Sequence, residues 1–184
     1  MTSRRIAPDE LFPGPKVTLR LTTLADCSER YVSWLGDPLV NRYLETRWSA
    51  HSLETVRAFV SDMIDSPDNY VFAMLRRSDS EHVGNIKIGP IHPRHSWADL
   101  SYFVGERSAW GEGLATDAIA VATRIGFDRL GLHRLRAGVY AGNVASRRAL
   151  EKAGYVLEGT FRSELAGPDG WEDHLWYGRL RDDP

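Results

Sequence analysis

A loop with two glycines joins an apolar strand to a helix at residues 102–116, and this junction constrains the fold more than any other segment. Its sequence is Tyr-Phe-Val-Gly-Glu-Arg-Ser-Ala-Trp-Gly-Glu-Gly-Leu-Ala-Thr. The first backbone N–H groups of a helix have no partner within the helix and form a ready site for anions. Gly111 and Gly113 would let the main chain approach a phosphate closely because no Cβ stands in the way. The junction predicts a phosphate-binding loop in an α/β protein.

Two other kinds of phosphate loop fit this segment poorly. A dinucleotide-binding loop would have a third glycine or an alanine where this chain has Thr116, and an acidic residue at the end of the next strand. That strand, predicted at Leu135–Tyr140, has no acidic residue. An ATPase loop would continue with Gly-Lys-Ser or Gly-Lys-Thr, and no such sequence follows. A plain turn at the start of the helix stays open from this segment alone.

Residues before and after the junction alternate between strand and helix patterns. Asp26 is expected to cap a first helix, and a second has Val56, Phe59, Val60, Met63 and Ile64 on one face. Strands are predicted at Val17–Leu21, Tyr70–Leu75, Val83–Ile88, Trp97–Val104, Leu135–Tyr140, Tyr155–Leu165 and Trp171–Arg179, and later helices at Leu114–Leu130 and Ala145–Lys152. This order predicts one domain at residues 16–180 with a central mixed sheet of about seven strands and helices on both faces, after a flexible tail at residues 1–15.

Composition excludes several classes of function. The 184 residues have a formal net charge of −2, which argues against a dedicated nucleic-acid partner. Cys27 is the one cysteine, so no intramolecular disulfide or cysteine-based zinc site is expected, and the histidines show no metal-ligand spacing. No apolar run approaches the roughly 20 residues of a membrane span, and the start has no signal-peptide pattern. We expect a cytoplasmic protein that uses neither a metal nor a membrane.

A second strand–loop–helix junction lies at residues 143–155, with the sequence Asn-Val-Ala-Ser-Arg-Arg-Ala-Leu-Glu-Lys-Ala-Gly-Tyr. Together, the two junctions resemble those of the GNAT N-acetyltransferases, and in particular the RimJ and RimL branch that acetylates ribosomal proteins. The resemblance covers roughly residues 16–180. It implies a single-domain fold whose sheet is splayed between its fourth and fifth strands.

The resemblance also implies a cosubstrate, acetyl-coenzyme A. In this family the first loop receives the pyrophosphate on its backbone amides, and the pantetheine arm lies in the gap between the splayed strands. Ser108 stands where the family motif has Arg or Gln, so one side-chain contact is missing here. The residues implied to bind the coenzyme are Tyr102, Phe103, Val104, Trp110, Gly111, Glu112, Gly113, Leu114, Ala115, Thr116, Asn143 and Ser146.

Catalytic residues follow from the same resemblance. Many relatives have a tyrosine acid one helical turn after Ser146, but this chain has Leu150 there. The RimJ and RimL branch likewise lacks the tyrosine and uses a serine at the position of Ser146 to assist the leaving thiolate. Asp99 lies where relatives have a carboxylate that accepts the amine proton, and Glu106 is a second candidate. Helix capping by Asn143 and a solvent-facing Asp99 are the structural alternatives.

The expected reaction is direct transfer of acetyl to a primary amine, either a protein N-terminus or a small amine such as an amino sugar. The acceptor site is expected to be lined by Tyr43, Glu45 and His92. The resemblance also allows a homodimer. The alternative to an enzyme is an acyl-coenzyme A sensor without catalytic activity, because the usual tyrosine is absent.

Overall fold

The computed structural model describes residues 6–167 and 169–184 and is built on one sheet of eight strands. The spatial order is β1-β2-β3-β4-β5-β6-β8-β7. Neighbouring strands are antiparallel except β5 and β6, which run parallel. The strands are β1 Phe12–Pro13, β2 Val17–Leu21, β3 Tyr70–Arg76, β4 His82–His92, β5 Trp97–Val104, β6 Arg134–Tyr140, β7 Val156–Gly167 and β8 Gly170–Leu180.

Four α-helices connect these strands within the described residues. They are α1 Glu29–Gly36, α2 Leu53–Asp65, α3 Leu114–Arg124, which continues through a π-helical turn at Ile125–Arg129, and α4 Val144–Lys152. Ser28, Ser52 and Asn143 cap α1, α2 and α4 by accepting a hydrogen bond from a backbone N–H in the first turn. The predicted cap Asp26 is wrong, because its carboxylate instead pairs with Arg20 and closes a short turn with Thr23 before α1 begins.

The helices cover both faces of the sheet, as predicted. Ala98 and Leu100 of β5 are buried with residues of α3 and α4, whereas Phe103 packs with α1 and α2. Successive residues of a strand point to opposite faces, so this split places the two helix pairs on opposite sides. The predicted apolar face of α2 is only partly buried: Val60 is covered, but Phe59 is exposed and faces the cavity described below.

The sheet has one strand more than the seven expected. The additional strand, β1, is a two-residue edge pair with β2, too short and too proline-rich to show an alternating pattern. It lies in the predicted tail, of which residues 1–5 are outside the described residues. Ile6 is buried in the core and Glu10 forms an ion pair with Arg129, so the described part of that segment packs against the domain.

Strands β5 and β6 separate after a short paired region. They are paired in register at Trp97–Asp99 with Arg134–Arg136, and no pairing continues beyond these three positions in the described residues. β5 and β6 are the fourth and fifth strands of the sequence-based prediction, so the predicted splay is confirmed. Their diverging ends leave backbone groups facing a gap. No helix in the described ranges is both long and apolar enough to cross a membrane.

Candidate active site

The gap between β5 and β6 opens into a cavity of about 800 Å³. Its walls come from the diverging strand ends, the start of α4, the outer face of α2, the segment from Tyr43 to His51 and the β7–β8 hairpin. The residues of β5, β6, β8 and the start of α4 on this cavity are Leu100, Ser101, Tyr102, Phe103, Ala137, Gly138, Val139, Tyr140, Asn143, Ser146 and His174, and β3, β4 and β7 add Val71, Asn85, Ile86, Lys87 and Leu165. Most of this lining is apolar, so the few polar groups on it are candidates for chemistry.

The glycine loop has the backbone shape that a phosphate cradle requires. Gly111 and Gly113 have φ angles of +84° and +81°, a region that side-chain-bearing residues rarely occupy. Gly113 is the N-cap of α3, so the free N–H groups of that helix follow it directly. A Cβ added at Gly111 would have no protein atom within 4 Å, so the space in front of the loop is open to a ligand.

Side chains around this loop hold it in place. Lys16 donates from Nζ to the carbonyl oxygen of Glu112, which puts a cation beside the loop. The Glu112 carboxylate pairs with Arg76 at 3.5 Å, and the Trp110 indole donates to the Val104 carbonyl at 2.9 Å. Trp110 and Glu112 therefore have contacts within the protein. Sequence reasoning missed Lys16, which is about a hundred residues away along the chain.

Ser146 and Tyr102 form a hydrogen-bonded pair on the cavity wall. Their hydroxyl oxygens are 2.7 Å apart, and the phenol also lies 3.2 Å from the Ser146 carbonyl oxygen. Burial raises the pKa of Tyr102 to about 12, so the phenol keeps its proton at neutral pH. Asn143 caps α4 by accepting the N–H of Ser146 at 3.1 Å, which fixes the serine in the first turn. Tyr102 thus brings a tyrosine hydroxyl to the site from β5. Leu150, which stands where many relatives have their tyrosine, is fully buried in the core.

Neither carboxylate predicted as a base is among the residues that line the cavity in the described part of the chain. Asp99 lies in the paired region of β5 and forms an ion pair with Arg136 at 2.6 Å. Glu106 pairs with Arg30 at 2.7 Å, and this contact lowers the pKa of the Glu106 carboxyl. Both carboxylates are thus engaged with arginines, and their part in proton transfer stays a prediction.

On the acceptor side, two of the three predicted residues face the cavity. Tyr43 and Glu45 line it, and the Tyr140 hydroxyl donates to the Glu45 carboxylate. His92 instead stacks on Trp97, with ring centroids 5.1 Å apart, and is outside the lining among the described residues. It is therefore not brought to the acceptor site as expected, because the turn after β4 folds back onto β5.

Arg47 lies in the segment 41–48 that was expected to line the acceptor site, but sequence reasoning missed its contacts, which join two walls of the cavity. Its buried guanidinium donates to the Tyr140 hydroxyl at 3.0 Å and to the carbonyl oxygen of Ala166 on β7. It also lies over the Trp48 ring, 4.3 Å from the centroid. Arg47 thereby fixes the Glu45–Trp48 turn against the β6 end and the β7–β8 hairpin. No local pattern indicates a partnership between residues that are so distant in sequence.

A second pair that was missed consists of His174 on β8 and Glu164 on β7. The His174 Nδ1 lies 2.6 Å from the Glu164 carboxylate, and the imidazole faces the cavity. A register irregularity between Phe161 and Leu165 sets this contact. Such a bulge cannot be read from hydrophobic alternation alone. The sequence did predict one hairpin that contains both acidic residues and a histidine, and this was the signal that could have suggested the pair.

Known proteins resemble the chain at both the sequence and the structural level. The acetyltransferase (GNAT) domain family matches residues 16–156. The probable N-acetyltransferase YjcK of Bacillus subtilis is 32% identical over 114 residues, which span 61% of this chain and 62% of that protein. YoaA of the same species, an uncharacterized N-acetyltransferase, is 26% identical over 82% of this chain and 85% of its own length.

Solved structures show the same fold. Mycobacterium smegmatis RimJ, solved with a coenzyme A disulfide, has a TM-score of 0.83 at 24% identity and covers 95% of this chain and 88% of its own. At this identity the likeness concerns the fold alone. The family match spans most of the chain and includes both junctions, from β2 to the end of α4. The chain therefore belongs to the GNAT acetyltransferase family.

Proposed function

We propose that this protein transfers acetyl from acetyl-coenzyme A directly to a primary amine. The observation that carries the proposal is that β5 leads at its end toward the Gly111–Gly113 loop and, with β6, borders the cavity that holds Ser146 and Tyr102. Backbone groups of β5 and β6 border the gap between these strands, so an extended amide-containing arm can pair with them as an added strand would. The likeness to RimJ, and to a RimL structure with a TM-score of 0.82, supports placing the chain in their branch.

The residues present fit the coenzyme at three places. The N–H groups at the start of α3 suit a pyrophosphate, and Lys16 adds a positive charge beside them. The apolar strand walls suit the pantetheine arm. Ser146 and Tyr102 suit the sulfur end, where both hydroxyls reach the cavity. When bound, acetyl-coenzyme A supplies a thioester carbonyl and a thiolate leaving group.

Ser146 assists departure of the thiolate in this proposal. A thiol has an ordinary pKa of about 8.5, so its anion leaves without full protonation and needs a hydrogen-bond donor only. When the Tyr102 phenol donates to the Ser146 oxygen, the serine hydrogen is free to point into the cavity. Donation from Tyr102 also strengthens the serine as a donor, because hydrogen bonds in a chain polarise one another.

The acceptor enters from the side of Glu45. This carboxylate is mostly exposed, so it can attract an ammonium group at the cavity mouth. Trp48 and Trp171 are exposed on the two segments that Arg47 connects, and offer flat apolar surface to a peptide or a sugar. The amine is therefore a protein N-terminus or a small cationic amine. The name RimL ribosomal L7/L12 alpha-N-protein acetyltransferase supports the former, and a spermidine N-acetyltransferase fold match supports the latter.

Release of free thiol from acetyl-coenzyme A tests this function. The purified chain is incubated with N-terminal peptides, amino sugars and polyamines in separate reactions, and mass spectrometry identifies the acetylated product. Amine-dependent thiol release with an N-acetyl product is expected for one of these classes. Coenzyme binding without release for any amine in the panel would favour the sensor over the enzyme.

Glu45→Gln is expected to raise the KM of a cationic amine about fivefold while kcat changes little, since loss of a mostly exposed charge partner weakens binding by at most roughly 1 kcal/mol. Steady-state kinetics with the active amine measures both constants. Glu29→Gln, at an exposed position at the start of α1, is the matched control and should leave both constants unchanged. An unchanged KM in Glu45→Gln would remove Glu45 from the acceptor site.

A further inference from the structure

Lys87 of β4 supplies a positive charge to the wall of the cavity. We propose that the acceptor of this protein carries a carboxylate as well as the reacting amine, and that Lys87 binds this carboxylate. The inference rests on the proposed acetyl transfer to an amine. It narrows the acceptor to an amino acid, or to a peptide with an acidic residue close to its N-terminus, and it argues against polyamines.

The position of Lys87 in the sheet directs its side chain toward the cavity. Its partners in register are Val71 on β3 and Ser101 on β5, and both of them line the cavity. Directly opposed residues of antiparallel strands project to the same face of the sheet. This is the face of Phe103, two residues after Ser101, which packs with α1 and α2. Cavity wall therefore flanks Lys87 on both sides, and α2 lines the cavity above it.

The ammonium group of Lys87 has no partner in the part of the chain that the structure describes. It forms neither a hydrogen bond nor an ion pair with any residue in 6–167 and 169–184, although the side chain is half-buried. A lysine is charged at neutral pH, and a charge that no protein group binds must face solvent or a ligand. Because cavity wall flanks Lys87, that solvent or ligand lies in the cavity.

The groups around Lys87 leave its charge uncompensated. Within the described residues, Glu45 is the one carboxylate on the cavity wall, and it is bound to Tyr140 of β6, on the other side of the gap. Asn85, two residues before Lys87 on the same face of β4, is neutral and pairs its Oδ1 with Nε2 of His82 at 3.0 Å. The cavity thus has a cation on its β4 wall and an anion next to β6.

The charge of Lys87 faces the acceptor rather than the coenzyme. The glycine loop leads into α3, and Leu114 at the start of that helix belongs to the core on the face opposite Phe103. The coenzyme therefore approaches from the α3 side and places its thioester near Ser146. Lys87 lies on the side of α1 and α2, where the segment between these helices contributes Glu45 to the acceptor end.

A carboxylate suits this place on the wall. The ammonium group has three N–H donors for its oxygens, and the hydroxyl of Ser101 on the neighbouring strand is a further donor. The apolar lining around Lys87 includes Val71 and Phe59, and a charge-assisted hydrogen bond is stronger in such surroundings than in water. An acceptor with an amine and a carboxylate would meet an opposite charge at each end, whereas a polyamine would bring a second cation to Lys87.

Calorimetric titration with matched pairs of compounds tests the inference without requiring turnover. The protein, saturated with coenzyme A, is titrated with amino acids and their carboxamides, and separately with peptides that have Glu or Gln as their second residue. We expect the acid of at least one pair to bind about tenfold more tightly than its amide. Lys87→Met, which keeps the length of the side chain, should bind both compounds with the affinity of the amide. Lys152→Met, at an exposed position at the end of α4, is the matched control and should keep the preference.

Three results would overturn the assignment. The first is equal binding of acid and amide by the wild type in every pair, and the second is an unchanged preference for the acid in Lys87→Met. The third is a loss of succinyl-coenzyme A affinity in Lys87→Met without a loss of acid affinity, which would assign the charge to the acyl donor. Failure of the wild type to acetylate any amine would count against the proposed function, and the binding preference would still decide the role of Lys87.

Discussion

Coenzyme A is expected to bind about a thousandfold more tightly than pantetheine, which lacks the pyrophosphate and the nucleotide. The free N–H groups after Gly113 would donate charge-assisted hydrogen bonds to the phosphates, and Lys16 would add an opposite charge. Two such bonds at about 2 kcal/mol each give about 4 kcal/mol, which is close to three factors of ten. Calorimetric titration of the wild type with each compound measures the difference.

Gly111→Asn tests whether the glycine loop is the source of that difference. Asparagine tolerates the left-handed backbone of this position, and its side chain would enter the open space in front of the loop. We expect coenzyme A affinity to fall about tenfold or more and pantetheine affinity to stay unchanged.

Gly131→Asn is the matched control for this loop variant. Gly131 has a φ of +70°, has equally open surroundings, and lies beyond the end of the π-helical turn. Asparagine at this position must adopt the same left-handed backbone conformation, but its side chain would lie away from the cavity and from the glycine loop. Equal loss of affinity in both variants, or none in Gly111→Asn, would remove the loop from coenzyme binding.

Ser146→Ala is expected to lower turnover by roughly ten- to a hundredfold, with coenzyme affinity retained. The range is low for acid–base assistance because a thiolate leaves readily. The serine stands in the first turn of α4, held by its N–H bond to Asn143 and its hydroxyl contact with Tyr102. Thiol release at saturating acetyl-coenzyme A measures the effect.

Tyr102→Phe should reproduce part of the Ser146→Ala loss, and the double variant should be no worse than Ser146→Ala alone. This non-additivity is expected because Tyr102 acts through the serine hydroxyl. The high pKa of Tyr102 keeps the phenol protonated, so the effect of Tyr102→Phe should not vary between pH 6 and 9. Full turnover in Ser146→Ala would show that Ser146 and Tyr102 do not assist departure of the thiolate.

Much of the fold could be predicted because its signals are local. The glycines at 111 and 113 are followed within a few residues by the apolar face of α3. These two adjacent patterns were enough to locate the loop. The order of strands and helices predicted the mixed sheet, and the resemblance to the GNAT family implied its splay. The edge strand β1 could not be predicted, because two residues with a proline have no period to detect.

The candidate site was less accessible from sequence because its contacts join distant segments. Tyr102 could be placed on the gap, but its bond to Ser146 depends on how β5 meets α4 across 44 positions. The His174–Glu164 contact depends on a bulge in β7. Asp99 was singled out for its place on β5, yet the neighbouring strand supplies an arginine that engages it. Such partnerships are decided by register and packing, which single-sequence patterns do not encode.

Amide hydrogen exchange with and without coenzyme A tests the central claim most directly. An arm lying between β5 and β6 would pair with backbone groups that now face the gap, so exchange should slow in Leu100–Val104 and Ala137–Tyr140. The loop at 111–116 should slow as well, because its N–H groups would hold the phosphates. The β7 strand, on the far side of β8, serves as the internal reference. The predicted result is slower exchange in these segments only. If saturating coenzyme A left the exchange rates of both strand ends unchanged, that result would contradict the account.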